Sequence, residues 1–103
     1  SSLRLNAIQG VSIYRVVQEA INNSMKYAAA TNIILEITEN TNSLCLAIID
    51  DGIGFNMAEI QLGNGLENMR NRASSINADF QINSTLQKGT KITLEIDKSE
   101  FNA

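Results

Sequence analysis

The strongest constraint on the fold is the run LCLAII at residues 44–49, which is apolar at every position and ends directly in Asp50 and Asp51. A strand with one wet face would alternate apolar and polar residues, so this run predicts a central strand covered on both faces. The loop that follows, DDGIGF at residues 50–55, joins two carboxylates to two glycines, which let a backbone approach a ligand closely. The end of this strand is therefore a candidate ligand site.

The size and composition of the chain predict a single domain over residues 1–103, with a motif-bearing core at about 11–97. The chain has 103 residues, of which 44% are apolar and 18% charged, as in soluble globular proteins. No apolar run approaches the roughly 20 residues that cross a bilayer, so we expect no direct membrane contact. A net charge of −3 with scattered basic residues argues against a nucleic-acid partner.

The absence of histidine and the single cysteine narrow the possible chemistry. Without histidine, these residues cannot contain a usual zinc site, a Ser/His/Asp triad or a histidine phosphoacceptor. Cys45 has no partner for a disulfide and lies in the apolar run. We therefore expect a reduced, buried thiol without a chemical role.

The pattern of apolar residues predicts the order helix, strand, strand, helix, strand, strand. The first helix covers about residues 11–29, and the second places Leu66, Met69 and Ala73 on one face and ends near Asn77. Hairpins at both ends suggest an α+β fold. The expected architecture is a two-layer α/β sandwich, with helices packed on one face of a mixed sheet.

The first helix carries a candidate chemical face. At 100° per residue, Glu19, Asn23 and Lys26 cluster opposite Tyr14 and other apolar residues, so we expect the apolar side to pack. A solvated helix surface would give the same pattern. However, the pair Asn22-Asn23 is unfavourable in the middle of a helix, which favours a function for this face.

Two further glycine motifs are weaker candidates. Gly63 and Gly65 precede the second helix, whose first N–H groups suit a phosphate, but Gly-Asn-Gly is also a common turn. Gly89 precedes Thr90, whose hydroxyl can donate or accept a hydrogen bond, but threonine is also an ordinary strand residue. Neither motif is specific when taken alone.

Taken together, the four motifs resemble the nucleotide-binding domain of the histidine-kinase, gyrase, chaperone and mismatch-repair (GHKL) superfamily. VVQEAINNSMKYA matches its asparagine box, DDGIGF and GNGL its two glycine boxes, and GTKITLEI its closing glycine–threonine box. The resemblance extends from about Tyr14 to Ile96 and implies the Bergerat fold with bound ATP. The short connection before Gly63 and the motif NMRNRA look most like sensor histidine kinases that signal to LuxR-type (NarL-like) response regulators.

The resemblance implies a role for each matched residue. Asn23 would bind Mg²⁺, Lys26 would reach the ATP phosphates, and Asp50 would accept a hydrogen bond from the adenine amino group. Glu19 would order the metal shell in a kinase, whereas in ATP-hydrolysing relatives the matching glutamate activates water. The remaining residues implied in ATP binding are Tyr27, Gly52, Gly54, Gly63, Gly65, Leu66 and Thr90.

Two positions depart from the pattern of the superfamily. Tyr27 stands where many relatives have histidine, and Asp51 stands where asparagine is common. We expect Asp51 to be a variable loop position without a specific contact. Both departures leave details of the phosphate contacts open.

The resemblance also implies partners and a location. A sensor kinase transfers the γ-phosphoryl group to a histidine on a separate dimerisation domain and then to a response regulator, so we expect this cytoplasmic module to be inactive without that domain. The alternatives are an anti-sigma-factor-type serine kinase, another GHKL ATPase and a non-catalytic nucleotide binder. A calcium-binding turn at Asp50 and Asp51 is disfavoured because further acidic ligands do not follow at short spacing.

Overall fold

Strand β2, Ser43–Asp50, carries the apolar run and lies inside a four-stranded sheet. The computed structural model describes residues 3–26, 30–54, 65–85 and 87–101. Neither of the two α-helices in these ranges is long and apolar enough to cross a membrane. The predicted order is confirmed by helix α1 (Ala7–Lys26), strand β1 (Ile33–Glu39), β2, helix α2 (Gly65–Ser75), strands β3 (Asp79–Ser84) and β4 (Thr90–Asp97), and a short 3₁₀ helix (Lys98–Glu100).

All pairings in the described sheet are antiparallel, in the order β1-β2-β4-β3. The predicted mixed sheet is wrong in this respect, because β4 lies between β2 and β3. Strand β3 runs in the same direction as β2, but the two are not neighbours, so their common direction produces no parallel pair. The register places Asp50 opposite Ile33 on one side and Thr90 on the other.

Both helices pack on one face of the sheet, which confirms the predicted two-layer α/β arrangement. Side chains alternate along a strand, so the even-numbered residues of β2, β3 and β4 point to the same face and meet the helices. The buried apolar core consists of Val16, Ala20, Leu46, Ile48, Met69, Ala73, Ile76, Ile82, Ile92, Leu94, Ile96 and Phe101.

The opposite face of β2 is only partly covered. Ala47 is buried there, but Cys45 and Ile49 are half-buried. Within the described residues no second layer covers this face, so the apolar run reflects an internal position in the sheet. The predicted buried thiol of Cys45 is only half-buried. Strands β1 and β4 lie on either side of β2 in the sheet.

Helix α1 buries a more polar face than its apolar spacing predicts. Tyr14 is 60% exposed and Met25 67% exposed, whereas Gln9, Ser12 and Ser24 are buried. Burial of these polar groups is tolerated because each has a hydrogen-bond partner on another element. The partners are the Glu100 carbonyl oxygen for Gln9, the Ser75 hydroxyl for Ser12 and the Asp50 carboxylate for Ser24.

Helix α2 ends as its sequence predicts. Asn77 adopts a left-handed conformation with φ 56°, and its N–H donates to the Ser74 carbonyl oxygen at 3.1 Å. The Ala78 N–H donates to the Ala73 carbonyl oxygen at 2.9 Å, which completes a Schellman motif. This cap fixes the direction in which the chain leaves α2 for β3.

Candidate functional site

Asp50 is a buried carboxylate at the end of β2, with a relative exposure of 7%. Its Oδ2 accepts a hydrogen bond from the Ser24 hydroxyl at 2.7 Å, and its Oδ1 accepts one from the Gly52 N–H at 2.9 Å. Each carboxylate oxygen has two lone-pair directions, so both oxygens can accept a further donor. The side chain is thus held in one orientation between α1 and the glycine loop and is still able to recognise a donor on a ligand.

Thr90 lies directly across the sheet from Asp50 and on the same face. It is buried, and its hydroxyl lies 2.8 Å from the Ser84 hydroxyl at the neighbouring end of β3. Ser84 is also 3.1 Å from the Gly89 carbonyl oxygen. The ends of three adjacent strands therefore place one carboxylate and two hydroxyl groups side by side.

The first glycine loop is packed against the turn that joins β3 to β4. Gly54 has φ 64°, and a β-carbon there would collide with the Thr85 carbonyl oxygen and lie 2.9 Å from that of Gly89. Gly89 has φ 82°, and a β-carbon there would collide with the Asp50 carbonyl oxygen. Glycine is needed at both positions for this close backbone packing, independently of any ligand.

Glu19 and Gly65 meet where α1 passes the first residue of α2. A β-carbon at Gly65 would lie only 2.7 Å from Glu19 Oε1, so the absence of a side chain makes room for the carboxylate. A negative charge at the N-terminus of a helix is favourable because unpaired N–H groups point toward it. Glu19 therefore lies at the helix end where the sequence predicts a phosphate.

Asn23 lies one turn after Glu19 on α1 and is half-buried. Its amide nitrogen is enclosed and has no hydrogen-bond partner within the described part of the chain. A buried donor without a partner costs about 1–3 kcal/mol, so an unpaired atom of this kind in a native structure requires an explanation, such as a bound ligand or ion. Asn23 also precedes Ser24, so α1 connects the Glu19 end of the site to the Asp50 end.

The expectation that Asp51 makes no specific contact is wrong. Its Oδ1 accepts hydrogen bonds from the N–H groups of Thr31 and Asn32, both at 2.8 Å, and its Oδ2 accepts one from the Asn32 side chain at 2.8 Å. Hydrogen bonds from Asn32 hold the pKa of Asp51 below its ordinary value of 3.8. The bond from the Asn32 backbone has the largest effect, and the bond from the Asn32 side chain has the next largest. Asp51 thus ties the start of β1 to the end of β2, beside Asp50.

Replacing Asp51 with alanine should alter stability in a pH-dependent way. Because the pKa is lower in the folded state, this carboxylate stabilises the fold above about pH 3.8 and ceases to do so as the pH falls through the lowered value. We expect the melting temperature of Asp51→Ala to lie below that of the wild type at pH 7, and the two to converge in strong acid. Asp97 also has a lowered pKa, but it is common to both proteins. A difference in melting temperature between the two proteins that is the same at pH 7 and in strong acid would contradict the role of Asp51.

The predicted site residues fall into two connected groups. Glu19 and Gly65 meet between the helices, with Asn23 one turn after Glu19 on α1, whereas Asp50 and Thr90 lie at the strand ends with the first glycine loop. Leu66 is half-buried and packs against the apolar core. The predictions for Tyr27, Gly63 and the side chain of Lys26 lie outside the described residues.

The sequence interpretation missed Ser24 and Ser84 as members of the site. Ser24 orients Asp50, and Ser84 contacts the Thr90 hydroxyl. A signal for Ser24 was present, because serine is a poor residue for the interior of a helix and follows two asparagines. The described residues contain no group of three or more His, Cys, Asp and Glu side chains that could hold a metal by themselves.

The same fold occurs in solved structures of other proteins. The blue-light-activated histidine kinase of Erythrobacter litoralis matches with a TM-score of 0.80 and 17% identity, over 93% of this chain and 32% of that one. The ATP-binding domain of PrrB from Mycobacterium tuberculosis matches with a TM-score of 0.73 and 22% identity, over 84% of this chain and 67% of that one. At such identities the likeness establishes the fold.

Comparison of the sequence identifies relatives and a family. The sensor protein VraS of Staphylococcus saprophyticus is 36% identical over 94 residues, which are 88% of this chain and 27% of that protein. The oxygen sensor histidine kinase NreB of Staphylococcus carnosus is 37% identical over 93 residues, 88% of this chain and 26% of that protein. The chain thus spans about a quarter of the length of these relatives. Residues 9–100 match one family profile, and the chain belongs to that family, the histidine kinase-, DNA gyrase B- and HSP90-like ATPases.

Proposed function

We propose that this chain is the ATP-binding catalytic domain of a sensor histidine kinase and transfers the γ-phosphoryl group of ATP to a histidine on a separate domain. The observation that carries the proposal is the pair of site groups joined by one helix. Ser24 of α1 orients Asp50, which would bind the nucleobase, while Glu19 of the same helix meets Gly65 at the start of α2. The match to NreB, which is named an oxygen sensor histidine kinase, favours a histidine kinase over a serine kinase and over a non-catalytic nucleotide binder.

Asp50 would recognise adenine through its exocyclic amino group. A carboxylate accepts this N–H, and guanine presents a carbonyl oxygen at the equivalent position, which the carboxylate would repel. The orientation of Asp50 by Ser24 and Gly52 supports this role, because a preorganised acceptor need not be ordered when the base binds. Thr90, across the sheet from Asp50, would complete the polar end of the base pocket.

Glu19 and Asn23 fit Mg²⁺ together with the phosphates. The amide oxygen of Asn23 would be a hard ligand for the metal. Its enclosed nitrogen, which has no partner in the described part of the chain, would donate a hydrogen bond to a phosphate oxygen. Glu19 lies next to this position and would order the surroundings of the metal. When bound, Mg²⁺ neutralises charge on the phosphate oxygens. Lys26, Gly63 and Gly65 would contact the phosphates, the two glycines through backbone N–H groups.

The proposed transfer needs positioning more than a catalytic base from this chain. A nitrogen of the partner's imidazole attacks the γ-phosphorus, a nitrogen–phosphorus bond forms, and the bond to the β–γ bridging oxygen breaks as ADP leaves. The proton lost by the imidazole passes to a base on the partner domain. We assign Glu19 to ordering the metal site rather than to activating water, because a kinase gains from not hydrolysing its ATP.

The partners and the location follow from the same proposal. The histidine would belong to a dimerisation domain of the longer protein, and a response regulator with a LuxR-type DNA-binding domain would receive the phosphoryl group. The domain would act in the cytoplasm as part of a membrane-bound sensor. The match to NreB, an oxygen sensor histidine kinase, is compatible with a kinase that signals to a response regulator of this type.

A phosphotransfer assay tests the proposal directly. The 103-residue domain is incubated with γ-labelled ATP, Mg²⁺ and the histidine-bearing domain of the parent protein as a separate chain. We expect label on the acceptor that is stable in alkali and lost in acid, as a phosphohistidine is, and no label on the catalytic domain alone. Label stable in acid would indicate a serine kinase instead. Release of inorganic phosphate without a labelled acceptor would indicate an ATPase.

A further inference from the structure

A groove of about 320 Å³ runs between α1 and α2. At one end of the helix pair, the Ser12 and Ser75 hydroxyls lie 3.3 Å apart, and at the other end Glu19 meets Gly65. The two helices are therefore antiparallel, and the groove opens beside the proposed phosphate site. Its polar lining consists of Arg15, Gln18, Glu19, Asn68, Asn71 and Arg72.

Two arginines give this groove a positive end in an acidic chain of net charge −3. Arg15 and Arg72 are both exposed, and within the described ranges neither forms an ion pair with a carboxylate. Arg15 Nη1 donates to the Gln18 side-chain oxygen at 3.2 Å, which leaves most of the guanidinium donors free for a partner. Arg70 on the same helix as Arg72 is different, because its guanidinium lies over the Phe80 ring, 5.3 Å from the centroid.

The spacing along α1 sets the distance between this positive end and the proposed chemistry. Arg15 precedes Glu19 by four residues, which is one helical turn and about 6 Å along the axis. The proposed function places the acceptor histidine at the γ-phosphoryl group, near Glu19 and Gly65, and the resemblance to sensor kinases implies that a helix carries this histidine. On a partner helix that runs alongside α1, a residue three or four positions from the histidine would lie one turn away, at the level of the two arginines.

We propose that the Arg15–Arg72 groove receives an acidic side chain from the partner helix that carries the phosphoacceptor histidine. This inference rests on the proposed function and names the chemistry of its docking surface. Arginine suits a carboxylate because its planar guanidinium can donate two parallel hydrogen bonds. Glu19 would repel an acid at the phosphate end, so the acidic side chain binds one turn away from the histidine.

Charge-neutral variants test the docking surface in the same phosphotransfer assay. Arg15→Gln and Arg72→Gln are compared with Arg70→Gln, which removes the same charge from α2 outside the groove. We expect each groove variant to raise the KM for the acceptor domain about tenfold, as loss of one charged contact does, without changing kcat or the Kd for ATP. The difference from wild type should shrink in high salt. Arg70→Gln should behave as wild type.

A charge reversal gives the second arm of the test. Arg15→Glu should prevent efficient transfer, and lysine in place of the acidic residue one turn from the acceptor histidine should restore it. Three results would overturn the inference if the wild type still transfers the phosphoryl group. They are groove variants with the same KM as Arg70→Gln, no rescue by the lysine substitution, and no acidic residue one turn from the acceptor histidine. A change in the Kd for ATP would instead assign the arginines to the nucleotide site. No transfer by the wild type would overturn the proposed function and this inference with it.

Discussion

Replacing Asp50 with asparagine is expected to weaken ATP binding about 100-fold, which corresponds to about 2.7 kcal/mol. The new side chain can keep its oxygen toward the Gly52 N–H and turn its NH₂ group toward Ser24. The Ser24 hydroxyl is also 3.1 Å from the Ala20 carbonyl oxygen, so it can donate there and accept from the new amide. The fold therefore tolerates the change, but the NH₂ group then faces the adenine amino group, and two donors cannot pair.

Calorimetric titration with Mg·ATP measures this effect, and Asp79→Asn provides a charge-matched control. Asp79 is an exposed acid at the start of β3, so its neutral variant should bind ATP as the wild type does. Circular dichroism establishes that each variant is folded. An Asp50→Asn protein that keeps its ATP affinity within about twofold would show that this carboxylate does not recognise the base.

Gly89→Ala is expected to destabilise the domain by about 3 kcal/mol or more and to disturb the nucleotide site at the same time. The residue has φ 82°, which costs a non-glycine residue about 1–3 kcal/mol. The added β-carbon would also collide with the Asp50 carbonyl oxygen, which is backbone and can yield only if the end of β2 moves. Asp50 would move with it, so ATP binding should weaken even in the fraction that folds.

Urea unfolding compares this variant with Gly10→Ala. Gly10 lies within α1, where a β-carbon would meet nothing within 4 Å, so alanine should stabilise the helix by about 0.5–1 kcal/mol. The two glycine substitutions should therefore shift the urea midpoint in opposite directions. Equal midpoints for Gly89→Ala and the wild type would mean that the turn between β3 and β4 does not pack on the Asp50 backbone as described.

The sequence predicts the second helix of this fold more accurately than the first. Met69, Ala73 and Ile76 lie on one face of α2 and its exit, and all three are buried, because this face meets the sheet through apolar contacts. Helix α1 is instead packed between the sheet, α2 and the Asp50 site. Its buried stripe includes Gln9, Ser12 and Ser24, whose partners lie 91, 63 and 26 residues away in the chain. Hydrophobic spacing cannot reveal such pairings.

The candidate site was predictable where its residues occur in short motifs. The order of the glycine motifs placed Asp50, Thr90 and Gly65 in one family pattern, and the register brings Asp50 and Thr90 together. The role of Asp51 was not predictable, because its partners Thr31 and Asn32 precede another strand. The reason for glycine at position 89 was also hidden, since it depends on the backbone of Asp50, on a different strand.

The paired roles of Asp50 and the α1 face are the central claim, and nucleotide selectivity tests it most directly. Wild-type protein is titrated in a calorimeter with ATP and with GTP, each with and without Mg²⁺. We predict saturable binding of Mg·ATP, weaker binding of ATP without Mg²⁺, and no measurable binding of Mg·GTP at the same concentrations. Binding of GTP as tight as that of ATP, or no heat from either nucleotide at millimolar concentrations, would contradict the account.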